Sequence, residues 1–223
     1  MIPSLLILYP KIKPMNEADH IRLSKDKWNK WAESADGKGL VYDYLRKAQS
    51  SVISLIGVKE KMSFLDIGCG TGWAIGQAAK AIGLNGTFYG VDLSPKMIEK
   101  AKENFKDYSN FHFIVCSSES IPLNDNTFDT IICTNSFHHY LHPGKAMTEM
   151  YRLLRTGGKV YILDPTADTW TIKFADKIIR LIEPQHVKLY STNEYRNLLI
   201  GAGLKYLESK KIQGRESVHI GSK

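Results

Sequence analysis

Residues 64–73, Phe-Leu-Asp-Ile-Gly-Cys-Gly-Thr-Gly-Trp, decide how this chain is read. The apolar run Met62–Ile67 ends at Gly68, glycines recur at 70 and 72, and a helical pattern, Trp73–Ile82, follows and closes at Gly83. Alternate glycines between a strand and a helix let the backbone turn sharply and let a ligand approach the main chain. The spacing is not the Gly-x-Gly-x-x-Gly of a dinucleotide loop, because position 73 is Trp. An acid, Asp66, precedes the loop. It is poorly placed for a pyrophosphate and suits a ligand that carries an ammonium group.

Downstream the alternation of strand and helix continues. Strands are expected at Thr87–Val91, Phe111–Val115, Phe128–Cys133 and Lys159–Leu163, with a last pair, Leu204–Gln213 and Glu216–Ile220, joined at Gly214-Arg215. Ser94-Pro95 reads as an N-cap with Pro at the first helical position, opening a helix to about Phe105. Further helices are expected at Lys145–Leu154, stopped by Thr156-Gly157-Gly158, around 171–182, and at 192–201. Upstream, residues 16–36 form an amphipathic pattern with Trp28, Trp31 and Ala32 on one side, broken by Gly37 and Gly39. Residues 40–56 place Leu40, Tyr44, Leu45, Ala48, Val52, Leu55 and Ile56 on one face, with Gly57 as the closing residue. Strands alternating with helices predict an α/β fold: a parallel sheet covered on both faces, with its ligand beyond the carboxyl ends of the strands.

Length and composition fit that reading. The 223 residues are 43% hydrophobic and 24% charged, which excludes disorder, collagen and coiled-coil rods. One domain is expected: an N-terminal helical cap (1–60), a cofactor-binding core (61–165), and substrate-side helices with the last two strands (166–223). The net charge of +7 raises a nucleic-acid partner. The excess is spread, however, with 10 basic against 7 acidic groups in residues 1–60, 10 against 9 in 61–160 and 10 against 7 in 161–223. Phosphate-tracking proteins concentrate their Lys and Arg on one face. A solvated surface fits better, and an anionic small substrate suits the positive field. Three cysteines, Cys69, Cys116 and Cys133, without a CxxC pair argue against disulfides and zinc knuckles and for a cytoplasmic setting. The apolar opening, residues 1–9, is far shorter than a membrane span, and it makes only a weak signal-peptide pattern, with no basic residue before it and Pro10-Lys-Ile-Lys-Pro14 where a small-residue cleavage site should be.

Asp92 stands at the end of the second core strand, 20 residues past Gly72. Such an acid binds ribose hydroxyls or caps the helix that Ser94-Pro95 opens; the loop at 66–72 tips the balance to ribose.

The stretches FLDIGCGTGW, YGVDLSPKMIEKAK, ESIPLNDNTFDTIICTNSFHHY and RLLRTGGKVYILDPT, in this order over residues 60–165, resemble the class I S-adenosylmethionine-dependent methyltransferases. The subgroup resembled acts on small molecules and includes the ubiquinone/menaquinone C-methyltransferases; YSTNEYRNLLIGAGL and SVHIGSK extend the likeness to the end. The resemblance implies a Rossmann-like, doubly wound, mostly parallel seven-stranded sheet with an antiparallel last strand. It implies that Gly68, Cys69, Gly70 and Gly72 wrap the methionine part of the cofactor and that Asp66 orients its amino group. By the same likeness Asp92 holds the ribose, Leu93 and Met97 pack on ribose or adenine, Ser117 and Ser118 lie at the adenine edge, and Asn135 faces methionine and substrate. The family places an acid where Ser117 stands, so Glu119 is an alternative reader of adenine.

A base is needed only when the nucleophile must lose a proton. The candidates are His138, His139 and His142 after the fourth strand and His186 further on, with His138 and His186 favoured as catalytic. No metal is expected: His138 and His142 have i,i+4 spacing, but Pro143 opposes a helix there. The substrate pocket is expected from residues 15–45, 136–145 and 165–190, which hold Trp28, Trp31, Tyr42, Trp170 and Phe174, so an aromatic acceptor is compatible. Two other readings are an RNA methyltransferase and a non-catalytic S-adenosylmethionine-binding domain. Asn135-Ser-Phe-His138 lacks the Pro-Pro-aromatic clamp used on bases, and retention of Asp66, the three glycines and Asp92 opposes the second reading.

Overall fold

A computed structural model describes residues 16–34, 39–57, 61–183 and 185–223. The apolar opening of the chain and the helix break at Gly37 lie outside them. Seven strands form one sheet: β1 (Ser63–Ile67), β2 (Thr87–Asp92), β3 (Phe111–Val115), β4 (Phe128–Thr134), β5 (Leu154–Pro165), β6 (Lys205–Gln213) and β7 (Glu216–Ser222). Their order is β3-β2-β1-β4-β5-β7-β6. Pairs among β1–β5 are parallel, and β7 runs antiparallel to both β5 and β6. The strand order reverses between β1 and β4, which opens a crevice at their carboxyl ends.

The helices are α1 (Glu17–Ser34), α2 (Leu40–Ile53), α3 (Trp73–Ile82), α4 (Pro95–Asn104), α5 (Pro143–Leu153), α6 (Trp170–Ile182) and α7 (Thr192–Gly201). Successive residues of a strand point to opposite faces. Phe64, Ile132 and Leu163 therefore join Ala48, Val52, Ile75 and Ile98 in one core. Leu65, Ile131 and Ile162 join Met147, Met150, Tyr195 and Leu199 in the other. Ser94 caps α4 by accepting from the Met97 amide at 3.2 Å, with Pro95 at the first position.

Three expectations need correction. Helix α2 stops at Ile53 with Ser54 as its cap, short of Gly57. Its amino-terminal half is exposed, with Leu40 at 89% and Tyr44 at 41%, and its buried residues are Ala48, Val52 and Ile53. The Gly157-Gly158 pair does not end a helix. Helix α5 ends at Leu153, and the glycines form an irregularity within β5, where Phe128 pairs with Leu154 but Thr130 pairs with Lys159. A Cβ at Gly158 would lie 2.9 Å from the Arg155 carbonyl oxygen, so the bulge requires glycine there.

Candidate active site

A cavity of about 1410 Å³ opens at the carboxyl ends of β1, β2 and β4. It is larger than the roughly 300–1,000 Å³ of a single-ligand pocket. The β1–α3 loop forms its floor. Gly68, Gly70 and Gly72 all have positive φ (79°, 53° and 81°), a region that suits glycine. The loop is pinned to β2, since the amides of Gly68 and Cys69 both donate to the Val91 carbonyl, at 2.8 and 3.0 Å. A Cβ at Gly90 would lie 2.8 Å from Cys69 Sγ, so the bare position in β2 is what lets the cysteine seat beneath the loop. The amino end of α3 opens toward the cavity, with Trp73 and Ala74 in the wall. Such an end favours an anionic group.

Asp66 is 1% exposed, and neither of its carboxylate oxygens has a hydrogen-bond partner. Burial, and then the charge of Asp92, push its carboxyl up to about 8. A buried acid without a partner is costly unless it stays protonated or meets a cation. Asp92 differs. Its oxygens accept from the Gly70 amide at 2.9 Å and the Ser94 amide at 2.8 Å. Burial raises its pKa, and these amides partly offset the rise. It thus caps the turn before α4 and ties down the glycine loop, while its remaining lone pairs stay available to hydroxyl donors.

Leu93, Met97, Ser117, Ser118 and Glu119 line the same cavity. Ser117 Oγ accepts from the Glu119 amide at 3.2 Å, and Glu119 Oε1 accepts from the His142 amide at 3.0 Å. Asn135 lies at the end of β4 in a left-handed conformation (φ 53°). Its Nδ2 donates to Glu216 Oε2 at 2.9 Å, while its buried Oδ1 has no partner. Nine of the eleven expected cofactor residues line this one cavity: Gly68, Cys69 and Gly70 from the loop, Asp92, Leu93 and Met97 from β2–α4, and Ser117, Ser118 and Asn135 beyond; Asp66 and Gly72 do not line it, Asp66 being buried in β1.

The opposite wall is aromatic. Helix α1 is anchored through Asn29 Oδ1, which accepts from Ser94 Oγ at 2.6 Å, and through the Ala32 carbonyl, which accepts from Lys100. It sets Trp28 and Trp31 in a stack, with ring centroids 5.1 Å apart, and places Trp31 beside Tyr42. The Arg46 guanidinium sits over the Tyr42 and Trp73 rings. Trp170 and Phe174 are not part of this wall; they point outward from α6, 79% and 61% exposed.

The histidines are distributed otherwise than the sequence suggests. His139 borders the cavity; His138 and His186 stand behind it. His138 Nδ1 contacts Asp164 Oδ1 at 2.8 Å, and His186 Nε2 contacts Asp176 Oδ1 at 2.6 Å. Burial lowers the pKa of His138, but the charge and hydrogen bond of Asp164 outweigh it and hold the imidazole above its ordinary value. Burial, and then the neighbouring His138, hold His139 well below. Glu216 has no counterpart among the expected residues. It opens β7 opposite Pro165, buried, with its carboxyl pushed up to about 7 by burial and then by Asp164.

Comparison with known proteins places this architecture. Residues 58–209 match the family described as "Methyltransferase domain". A demethylmenaquinone methyltransferase of Staphylococcus aureus is 33% identical over 119 residues, 53% of this chain and 49% of that protein. The chain spans about half the length of the curated relatives it matches. Among solved structures, YcgJ of Bacillus subtilis is 27% identical, with a TM-score of 0.66 over 74% of this chain and 71% of that one. The 1,6-didemethyltoxoflavin-N1-methyltransferase of Burkholderia thailandensis, solved with its substrate and S-adenosylhomocysteine, shares the fold at a TM-score of 0.73 and 14% identity, over 94% and 91%. The match covers well over half of the sequence and includes the glycine loop, Asp92 and the strand ends that build the cavity, so the chain belongs to the methyltransferase domain family.

Proposed function

We propose that this protein transfers a methyl group from S-adenosylmethionine to a small, flat, aromatic acceptor. The observation that carries the reading is the placing of two acids near the carboxyl ends of the adjacent strands β1 and β2: Asp66, a buried carboxylate with no hydrogen-bond partner, and Asp92, a cavity-lining carboxylate anchored by two amides. The first fits the cofactor's ammonium group and the second its ribose hydroxyls. The α3 amino end suits its carboxylate. Bound there, the cofactor would supply an electrophilic methyl carried on a sulfonium sulfur, suited to in-line transfer to an acceptor atom. The residues themselves orient and exclude water. Trp28, Trp31 and Tyr42 form a wall on which a planar acceptor stacks, and Arg46 beside them suits an anionic substituent. His139 faces the acceptor side, while His138 and His186 support it from behind.

Small-molecule methylation is favoured over RNA because the basic groups form no stripe and Asn135–His138 lacks the base clamp. Three free cysteines are in keeping with a cytoplasmic setting. Among the described residues no helix is long and apolar enough to cross a membrane. The test is incubation of the protein and methyl-labelled S-adenosylmethionine with a metabolite extract, followed by mass spectrometry. Label is expected in a low-molecular-weight aromatic product; label found only in RNA or protein overturns the proposal.

Asp66 gives a second, pH-dependent prediction. Its folded-state pKa of about 8 lies above the ordinary 3.8, so the carboxyl is largely protonated at pH 7 before ligand arrives. Pairing with an ammonium group ionises it. Calorimetric titration with S-adenosylhomocysteine at pH 7, in buffers of different ionisation enthalpy, should show release of close to one proton. Asp66→Asn should abolish that release and weaken binding. The same shift acts on the unliganded fold. The unfolded chain ionises Asp66 first, so the stability this group contributes is full below about pH 3.8 and is lost as pH climbs through about 8.

A further inference from the structure

We propose that His138, His139 and His186 form a three-imidazole site for a borderline transition-metal ion, of which Zn²⁺ is the natural occupant, at the back of the acceptor wall. One ring nitrogen from each of the three lies within 4.8 Å of the others. They arrive from separate parts of the chain: His138 and His139 from the 3-10 turn Phe137–His139 after β4, and His186 from the segment after α6. The second nitrogen of every ring is fixed by a group that can only accept. His138 Nδ1 donates to Asp164 Oδ1, His139 Nδ1 to the Gln185 carbonyl oxygen at 2.9 Å, and His186 Nε2 to Asp176 Oδ1. These acceptors dictate the tautomers. They leave His138 Nε2, His139 Nε2 and His186 Nδ1 as lone-pair donors, and no hydrogen bond joins one ring to another.

That arrangement has the outer shell of a metal centre. Ligating histidines characteristically give their other N–H to a carboxylate or carbonyl, which orients the ring and raises its basicity. Here all three do so. The acceptors are themselves held: Asp164 also accepts from the His138 amide at 2.9 Å and from Tyr195 Oη at 2.8 Å, and Asp176 from the Leu189 amide at 2.9 Å and Arg180. Asp164 and Asp176 supply two negative charges just outside the ring nitrogens, which offsets a divalent cation. Of the neighbouring cations, Arg180 is paired with Asp176 and Lys27 is engaged by Glu183 at 2.9 Å. Zn–N bonds of about 2.0–2.1 Å in tetrahedral geometry bring ligand nitrogens to about 3.4 Å, so the rings close in by on the order of 1 Å. An all-imidazole set suits Zn²⁺, Co²⁺ or Ni²⁺ and disfavours Mg²⁺. Three protein ligands leave a fourth position open, as in catalytic rather than structural zinc sites. Because His139 borders the cavity, that position can meet an oxygen or nitrogen of the acceptor. The site does not depend on the methyl-transfer reading, since none of its three ligands is among the residues assigned to the cofactor.

The test uses purified protein freed of metal with a chelator and titrated with Co²⁺. One equivalent is expected to bind with the visible ligand-field bands of a four- or five-coordinate ion, and equimolar Zn²⁺ is expected to bleach them while excess Mg²⁺ does not. His186→Ala and His139→Ala should each abolish the bands. Asp176→Asn, which keeps the ligands and removes one outer partner, should weaken binding about 10–100-fold. His142→Ala, which touches the other cluster of candidate ligands (Glu17, Glu119, His142), should change nothing. Circular dichroism in chelator checks that each variant is folded, and S-adenosylhomocysteine binding is measured separately, so failure here is distinguishable from failure of the methyltransferase reading. Absence of stoichiometric Co²⁺ binding by folded protein overturns the proposal, as does binding that survives His186→Ala or is lost in His142→Ala.

Discussion

Replacing Asp92 with alanine should weaken S-adenosylhomocysteine binding by at least about 10²-fold while leaving a folded protein. The carboxylate accepts from the Gly70 and Ser94 amides and stands where the ribose hydroxyls are proposed to bind. Hydrogen bonds to a charged group contribute about 1.5–3 kcal/mol each, and about 1.4 kcal/mol corresponds to tenfold in affinity. Loss of two ribose contacts alone therefore spans about two to four orders of magnitude. The freed Gly70 amide loosens the glycine loop and adds to the loss. Asp92→Asn keeps an acceptor and should fall between the two. Calorimetry on wild type and both variants decides the matter, and equal affinities for wild type and Asp92→Ala would remove the ribose assignment.

Gly68→Ala should lower the thermal midpoint by roughly 5–15 °C. The residue has φ 79°, which costs an L-residue about 1–2 kcal/mol. An added Cβ would lie 2.4 Å from Ser136 Oγ and 2.7 Å from Ser136 Cβ. Ser136 cannot swing aside freely, because its hydroxyl bonds to the Ile67 carbonyl at 3.2 Å and meets Tyr140 Oη at 3.0 Å. Overpacking of this kind costs about 1–3 kcal/mol, and a chain of this size loses about 2–4 °C per kcal/mol. Combining Gly68→Ala with Ser136→Gly should recover the steric part and not the backbone part. A midpoint in the single variant within a degree or two of wild type would show that the loop relaxes more easily than its contacts imply. Differential scanning calorimetry on the three proteins makes the comparison.

The strands and the glycine loop could be read from sequence because their signals are local. Phe111–Val115 and Trp73–Ile82 begin and end where period and glycine placement put them. The positions of Asp66 and Asp92, near the carboxyl ends of β1 and β2, were legible for the same reason. Side-chain direction within a tight turn was not legible. Phe137, His138 and His139 are consecutive, yet Phe137 enters the core, His138 turns to Asp164 and His139 borders the cavity. Only the rotation of that turn separates them. The meeting of His186 with Asp176 and His138 joins distant segments, so spacing along the chain carried no trace of it. It led instead to His142, which precedes α5 and faces Glu17. Helix α6 misled in another way. Its period is strong, yet its one fully buried residue is Asp176, and the apolar residues Trp170, Phe174 and Leu181 lie on the outside. Periodicity finds an amphipathic helix and does not say which stripe faces the protein.

The reversed direction of β7 bears on the order in which the molecule can be completed. Asp66, Asp92 and the glycine loop belong to the first half of the chain, although β1, which carries Asp66, is flanked by β4 from further on. Glu216 reaches Asn135 only because an antiparallel strand delivers its first residue to the end where the parallel strands finish. Until that hairpin docks, β5 is an open edge and Asn135 lacks its carboxylate partner. The final ribbon therefore does more than close the edge of the sheet: it supplies the carboxylate that holds Asn135 at the end of β4.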